Sequence, residues 1–300
     1  MGYLRRLPRF EYFAPQNVAA ICSALAESPR ETRLLAGGTD LILQMRRREV
    51  LPRYIIGLKN VPELAWIRST NDACALGAMT TLSAIESSAP MLQQYDFVAE
   101  TAAEMGSPEI RLVATIGGNL SSALPCSDLA PPLLVLEAML KLRSVRGERS
   151  VRVDDFFIGP GETAMKSDEF LEEIQLPPRP PLSGGAYVKF HDRHAMDMTV
   201  AGVAAFVILD SGRGVVQDAR IALATGGPIP LRVRRAEALL KGQPLTDKTV
   251  EEAAELVFEE ASPRTSWRAT REFRLELIRM LARRALGEAR EKTRGAAGEA

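Results

Sequence analysis

Four prolines in five residues, Pro177-Pro178-Arg179-Pro180-Pro181, constrain this chain more than any other feature. Proline fixes φ, removes a backbone donor and clashes with the preceding turn of a helix, so this stretch belongs to no helix interior and no central strand. It divides the 300 residues into two parts, each long enough to carry its own core at ~150 residues per domain. The predicted architecture is two α+β domains joined near residue 180.

Before the prolines, residues 18–26 carry Val18, Ile21 and Leu25 at helical spacing. A short apolar strand, Arg33 to Ala36, breaks into Gly37-Gly38-Thr39-Asp40. A helix is predicted from Leu41 to Arg47 and a strand over 54–58, which together make a small βαβ unit. From about 60, short strands are predicted at 65–69 and 74–78, helices at 81–88 and 91–105, and a hairpin around Arg146-Gly147-Glu148-Arg149. Asp128 stands where it would cap a helix over 129–138. After the prolines come strands at 186–190, 200–209 and 219–224, a turn at 210–213, and helices at about 232–241, 247–261 and 270–286.

Two glycine loops carry most of the chemistry, AGGTD at 36–40 and TIGGN at 115–119. Glycine permits positive φ and close backbone approach, so consecutive amides can face one oxyanion, with Thr39 and Thr115 adding hydroxyls. A lone glycine pair equally makes a tight turn. Other nucleotide signatures fail. There is no GxxxxGK[ST], and the run Gly159 to Ala164 fits a dinucleotide fingerprint by letter only, its Pro160 being misplaced for the turn into a helix.

Four segments in this order resemble the FAD-binding medium subunit of molybdenum hydroxylases, the group containing bacterial carbon monoxide dehydrogenase, xanthine dehydrogenase and aromatic-ring hydroxylases. They are LLAGGTDLI at 34–42, ATIGGNLSSALPCSDLAPPLLVLEA at 114–138, FFIGPGETAM at 156–165 and YVKFHDRHAMDMTVAGVAA at 187–205. The resemblance implies a PCMH/VAO-type fold, in which FAD lies between two α+β subdomains and a smaller C-terminal α+β domain follows. On this sequence that gives an FAD-binding domain over 1–178, with subdomains of about 1–58 and 59–178. A C-terminal domain then occupies 182–290 and a disordered tail 291–300.

Carried over by position, Leu34, Leu35, Ala36, Gly37, Gly38, Thr39 and Asp40 match the first flavin loop, which holds the pyrophosphate. Thr115, Gly117, Gly118 and Asn119 match the second loop, at the diphosphate and ribitol. Ser122 matches a hydroxyl position at the nucleotide, Asp128 an acid near the cofactor, Leu171 an aliphatic contact of the adenine, and Lys189 a lysine lining the site. No catalytic residue and no metal ligand is implied.

The resemblance also implies partners: a large molybdopterin-binding subunit and a small subunit with [2Fe-2S] clusters, assembled as a dimer of heterotrimers. Electrons would reach the FAD and pass to NAD or another acceptor. Cys22, Cys74 and Cys126 lie 52 residues apart, too scattered to ligate a cluster. The segment 120–128 contains only Cys126, so the cysteine-rich insertion of benzoyl-CoA-type reductases is missing. A stand-alone flavoenzyme of the same fold and a flavin-free scaffold remain the alternatives.

The remaining signals exclude more than they identify. Basic and acidic residues balance at 38 each, which argues against nucleic-acid binding. No apolar run reaches membrane-spanning length, and the N-terminus lacks a signal-peptide core, so a cytoplasmic protein is expected. His191, His194 and Asp197 read as a polar turn rather than a metal site, and Asp154-Asp155 and Glu172-Glu173 as solvated charges. Ser107, Ser121, Ser122 and Ser127 show no GxSxG context for a nucleophile.

Overall fold

A computed structural model describes residues 6–70, 73–193, 195–210 and 214–298, with side chains to Thr293 in the last helix. Three sheets organise it. The first contains β1 (Glu11–Phe13), β2 (Thr32–Leu35) and β3 (Tyr54–Gly57) in the order β1-β3-β2, all parallel. Parallel neighbours need crossovers, which are supplied by helices α1 (Val18–Glu27) and α2 (Leu41–Arg47). Asn17 caps α1 by accepting from the Ala20 amide at 2.8 Å, and Ile21 and Leu25 pack with Ile56 and Leu58.

The second sheet is antiparallel. Its strands are β4 (Ile67–Ser69), β5 (Cys74–Gly77), β6 (Met139–Ser144) and β7 (Gly147–Arg152). A small hairpin, β8 (Phe157–Gly159) and β9 (Glu162–Thr163), precedes β10 (Phe170–Leu176), giving the order β4-β5-β10-β6-β7. Short helices fill the connection from β5 to β6: α3 (Leu82–Ser87), α4 (Ala89–Gln94), α5 (Asp96–Ala103), α6 (Pro108–Arg111), α7 (Ile116–Ser121) and α8 (Ala130–Val135). The single helix expected over 91–105 breaks at Tyr95, which is fully buried and donates its hydroxyl to the Pro177 carbonyl at 2.7 Å. Tertiary burial decides there against helical continuity.

A β-bulge in β10 corrects another expectation. Register shifts between Leu171 and Glu173, so Glu172 is the extra residue. An extended strand would alternate Glu172 and Glu173 between faces. The bulge lets Glu172 pair with Arg143 and Glu173 with Lys141, two residues that share one face of β6. Asp154 likewise pairs with Arg234. These carboxylates bind partners and are not simply solvated.

The third sheet runs β11 (Ser183–Phe190), β12 (Ala201–Leu209), β13 (Val216–Ala224) and β14 (Leu231–Arg232), antiparallel in chain order. On β12, Val203, Ala205 and Val207 pack with α9 (Arg234–Leu240), α10 (Asp247–Glu260) and α11 (Arg271–Gly298). The alternate residues Ala204, Phe206 and Ile208 join the core of the second sheet. Burial on both faces explains an unbroken apolar strand. Helix α11 continues to Gly298, through the segment expected as a disordered tail, and Lys292 on it contacts Asp96 at 2.6 Å and Glu100 at 2.8 Å. Residues 299–300, most of the turn expected at 210–213, and His194 lie outside the described residues.

The proline segment is fastened, not loose. Arg179 donates to Asp96 at 3.0 Å, to the Gln94 carbonyl at 3.2 Å and to the Ser183 carbonyl at 2.9 Å. Nearby, Asp128 departs from its expected cap role, since α8 starts after Leu129 with no side-chain cap. Its carboxylate instead accepts from Tyr187 Oη at 2.7 Å, Lys189 Nζ at 3.0 Å and Thr199 Oγ1 at 2.5 Å. The side chains of Lys189 and Asp128 are 5% and 9% exposed. Removing one partner strands the other as a buried charge, which costs about 3–5 kcal/mol. Lys189→Met is therefore expected to lower unfolding free energy in urea by about that much, and Asp128→Asn/Lys189→Met by clearly less. Equal losses in the single and double variants would remove the pair from the stability of this join.

Candidate functional site

The two glycine loops arise on different sheets and meet. The first leaves β2 and enters α2, while the second opens at Thr115 and forms the start of α7. A Cβ on Gly37 would overlap the Val113 carbonyl. Backbone cannot swing aside as a side chain can, so glycine is what lets these segments touch. Gly38 adopts φ +74° in the same turn.

A cleft follows the seam. Its first cavity, about 450 Å³, lies among Gly37 to Asp40, Leu43 and Gln44 of α2, Thr115, Asn119, Ser122, Met105 and the loop Met196 to Met198. Its second, about 670 Å³, is walled by Arg30, Arg33, Gly117, Met165, Lys166 and Leu171. Leu34, Ala36, Gly118 and Ser121 line both, so the cavities are two halves of one cleft with these four at its waist.

The two lips differ in their hydrogen bonding. In the second loop, Ile116 N donates to Thr80 O at 3.0 Å and Gly117 N to Ala78 O at 2.9 Å. Gly118 N donates to the capping Thr115 Oγ1 at 3.1 Å, and Asn119 N to Thr115 O at 3.0 Å. The sequence suggests a loop of amides free for an anion; here those amides seat α7 against the end of β5. In the first loop, the amides of Gly37, Gly38, Thr39 and Asp40 find no acceptor among the described residues. Backbone donors are rarely left unpaired, and four in succession at a cavity wall form a cradle for an oxyanion. The carboxyl of Asp40 is raised above its ordinary range because surrounding protein displaces water from it.

The other expected site residues fall into three groups. Thr115, Asn119 and Ser122 face the first cavity. Ser122 Oγ donates to the Asn119 carbonyl at 2.8 Å and Ser127 Oγ to Asn119 Oδ1 at 2.6 Å, which fixes the Asn119 side chain. Gly117 and Leu171 face the second cavity, Leu171 being delivered there by the bulge in β10. Leu35, Asp128 and Lys189 line neither. Leu35 ends β2 and its carbonyl accepts from Leu58 N at 2.9 Å. Lys189 and Asp128 stand behind the first cavity, tied to the Glu104 carbonyl at 3.1 Å and to Thr199, the chain neighbours of Met105 and Met198.

Sequence reasoning missed Met105, Met196 and Met198 in the first cavity and Arg30, Arg33 and Lys166 in the second. The first group had one signal, the presence of Met196 and Met198 inside the segment 187–205. The basic residues come from segments that no spacing connects. Asp197 accepts from the amides of Asp192, Arg193 and Met198 at 2.6, 2.8 and 2.9 Å, the pattern of a turn. Among the described residues no group of three His, Cys, Asp or Glu could hold a metal.

The two glycines at the seam predict opposite responses. Gly37→Ala drives a methyl into backbone, so a loss of at least about 1–3 kcal/mol is expected. At Gly118 the nearest atoms to an added Cβ are Thr115 Oγ1 at 3.0 Å and Ala36 Cβ at 3.8 Å, across the waist. Gly118 also occupies a helix, where alanine gains about 0.5–1 kcal/mol. Gly118→Ala should leave the melting temperature within a few degrees, and calorimetry on both variants checks the contrast.

Comparison with known proteins identifies the family. Residues 8–179 match the family described as FAD binding domain in molybdopterin dehydrogenase, and 186–289 the CO dehydrogenase flavoprotein C-terminal domain. The chain is 34% identical over 280 residues to a xanthine dehydrogenase FAD-binding subunit of Escherichia coli O157:H7, covering 93% of this chain and 95% of that one. It is 30% identical over 282 residues to the carbon monoxide dehydrogenase medium chain of Hydrogenophaga pseudoflava, covering 94% and 97%. Among solved structures, a carbon monoxide dehydrogenase from Hydrogenophaga pseudoflava superposes with a TM-score of 0.91 at 32% identity, over 95% of this chain and 98% of that one. Quinoline 2-oxidoreductase from Pseudomonas putida 86 gives 0.89 at 27% identity, over 96% and 99%. With both of its parts matched and relatives aligned over nearly its whole length, this chain belongs to the FAD-binding medium subunits of the molybdenum hydroxylase family.

Proposed function

We propose that this chain takes electrons from [2Fe-2S] clusters on a small partner subunit and delivers them to NAD or another acceptor, while a large molybdopterin-binding subunit oxidises the substrate. The relatives named as medium chains and FAD-binding subunits support a complex of this kind, here a dimer of heterotrimers. Its lack of clustered cysteines fits clusters held elsewhere. No helix among the described residues is long and apolar enough to cross a membrane.

The observation that carries the reading is the run of unpaired amides in the first cavity, next to the waist of the cleft. The amides of Gly37 to Asp40 and the Thr39 hydroxyl would hold the pyrophosphate of FAD, beside the waist where Ala36 faces Gly118. Leu171 would give the adenine half an aliphatic wall in the second cavity. Thr115, Asn119 and Ser122 would face the ribitol side, and Met105, Met196 and Met198 the far end of the first cavity. FAD bound there would supply an exchange between one-electron and two-electron carriers. The protein's part is to bind, orient and shield. Asp128 and Lys189 serve as positioning residues, holding the chain on either side of Met105 and Met198 from behind.

Gly118→Val tests the waist. The variant should fold, by circular dichroism and melting temperature, and purify with less than a tenth of the wild-type flavin absorbance. Unchanged flavin content would overturn the placement. For the complex, flavin reduction on adding an oxidisable substrate should appear only when the partner subunits are present. Turnover of a purine, an aldehyde or carbon monoxide by the isolated chain would favour a self-sufficient enzyme instead.

A further inference from the structure

Met198 lines both the first cavity and a smaller one of about 100 Å³, bounded by Cys126, Thr199, Thr225, Ser266 and the guanidinium-bearing Arg264, Arg268 and Arg274. Arg274, in the first turns of α11, is only 6% exposed. Its Nη1 donates to the Val200 carbonyl at 2.5 Å and its Nη2 to Ser266 Oγ at 2.9 Å, while its buried Nε has no partner. Among the described residues no carboxylate lies within 4.0 Å of any of the three arginines. Burial, and then the charges of Arg264 and Arg268, lower the basicity of Arg274, the signature of crowded positive charge.

The contrast with Arg232 shows how unusual this is. The side chain of Arg232 is also shielded, and it meets Glu137 and Glu237 at 2.8 Å each. A buried charge with no counter-charge is costly. None lies within ion-pair distance among the described residues, the acids felt at Cys126 being Asp128 and, more weakly, Asp40. Burial pushes the Cys126 thiol up to about 11, so it is neutral at physiological pH. The Asp128 carboxylate is occupied by Lys189, Tyr187 and Thr199. Arg268 is held in place by stacking on Trp267, 4.3 Å from the ring centre, and by contact with Met198 Sδ at 3.0 Å.

We propose that Arg264, Arg268 and Arg274 form a binding site for a phosphate group beside the cleft. Guanidinium groups match the geometry of phosphate oxygens, and three of them supply the charge that the protein leaves unbalanced. The cavity admits a tetrahedral oxyanion and excludes a whole nucleotide, so a larger ligand would place only its phosphate there. The site's position suits a phosphate carried by a nucleotide electron acceptor, and that refinement alone rests on the electron-transfer reading above.

The test uses the full chain in chloride buffer at fixed ionic strength, titrated calorimetrically with inorganic phosphate. Wild type should bind, and Arg264→Gln/Arg268→Gln should weaken binding at least tenfold with flavin content unchanged. Arg264 is exposed and neither side chain has an ion-pair partner, so the double variant keeps the fold. Absence of binding, or equal binding by the variant, would overturn the proposal. Competition between phosphate and NADH would assign the phosphate to the acceptor, and binding without competition to the free ion. Because flavin content is read separately, unchanged flavin in Gly118→Val together with phosphate binding lost in the arginine double variant would count against the cofactor placement and leave this site standing.

Discussion

Everything at the cleft depends on one backbone contact, the approach of Gly37 to the Val113 carbonyl. The first sheet and the second sheet are separate hydrogen-bonded units, and no strand of one pairs with a strand of the other. What sets their spacing at the site is how close two loops come. With a side chain at 37 the lips would part, and the waist formed by Ala36 and Gly118 would widen with them.

The C-terminal sheet backs this arrangement. Its inner face shares a core with the second sheet through Ala204, Phe206 and Ile208, which is non-directional and tolerates small shifts. The Asp128 carboxylate adds direction, because its three donors come from β11 and from the segment just before β12. Arg179 does the same at the proline segment. A linker of four prolines would suggest freedom of the two parts. Fastened at both ends, it makes them a single body.

Much of this was legible in the sequence where local signals and tertiary demands agree. The glycine turn between β2 and α2 was read to within a residue, because apolar strand, Gly-Gly and apolar helix each report locally. The family followed from four motifs in order. The readings that failed share one cause. Tyr95 breaks a helix, Glu172 and Glu173 share a face, and Asp128 abandons a cap, each through a partner far away in sequence. The tail is helical for a similar reason, since Leu286 and Ala289 are buried and Lys292 reaches Asp96. The opposite use of the two glycine loops is the least legible feature, because both show a glycine pair with a threonine and the acceptors at Ala78 and Thr80 that distinguish them lie far off in sequence.

That difference has a consequence for how a ligand is received. The loop over 115–119 completes its hydrogen bonding with the protein itself, so it is finished before any ligand arrives. The loop over 37–40 leaves its four amides without an acceptor among the described residues, open to a ligand. The two lips of the cleft therefore differ in kind: one has its amides committed to its own protein, and the other keeps four in reserve.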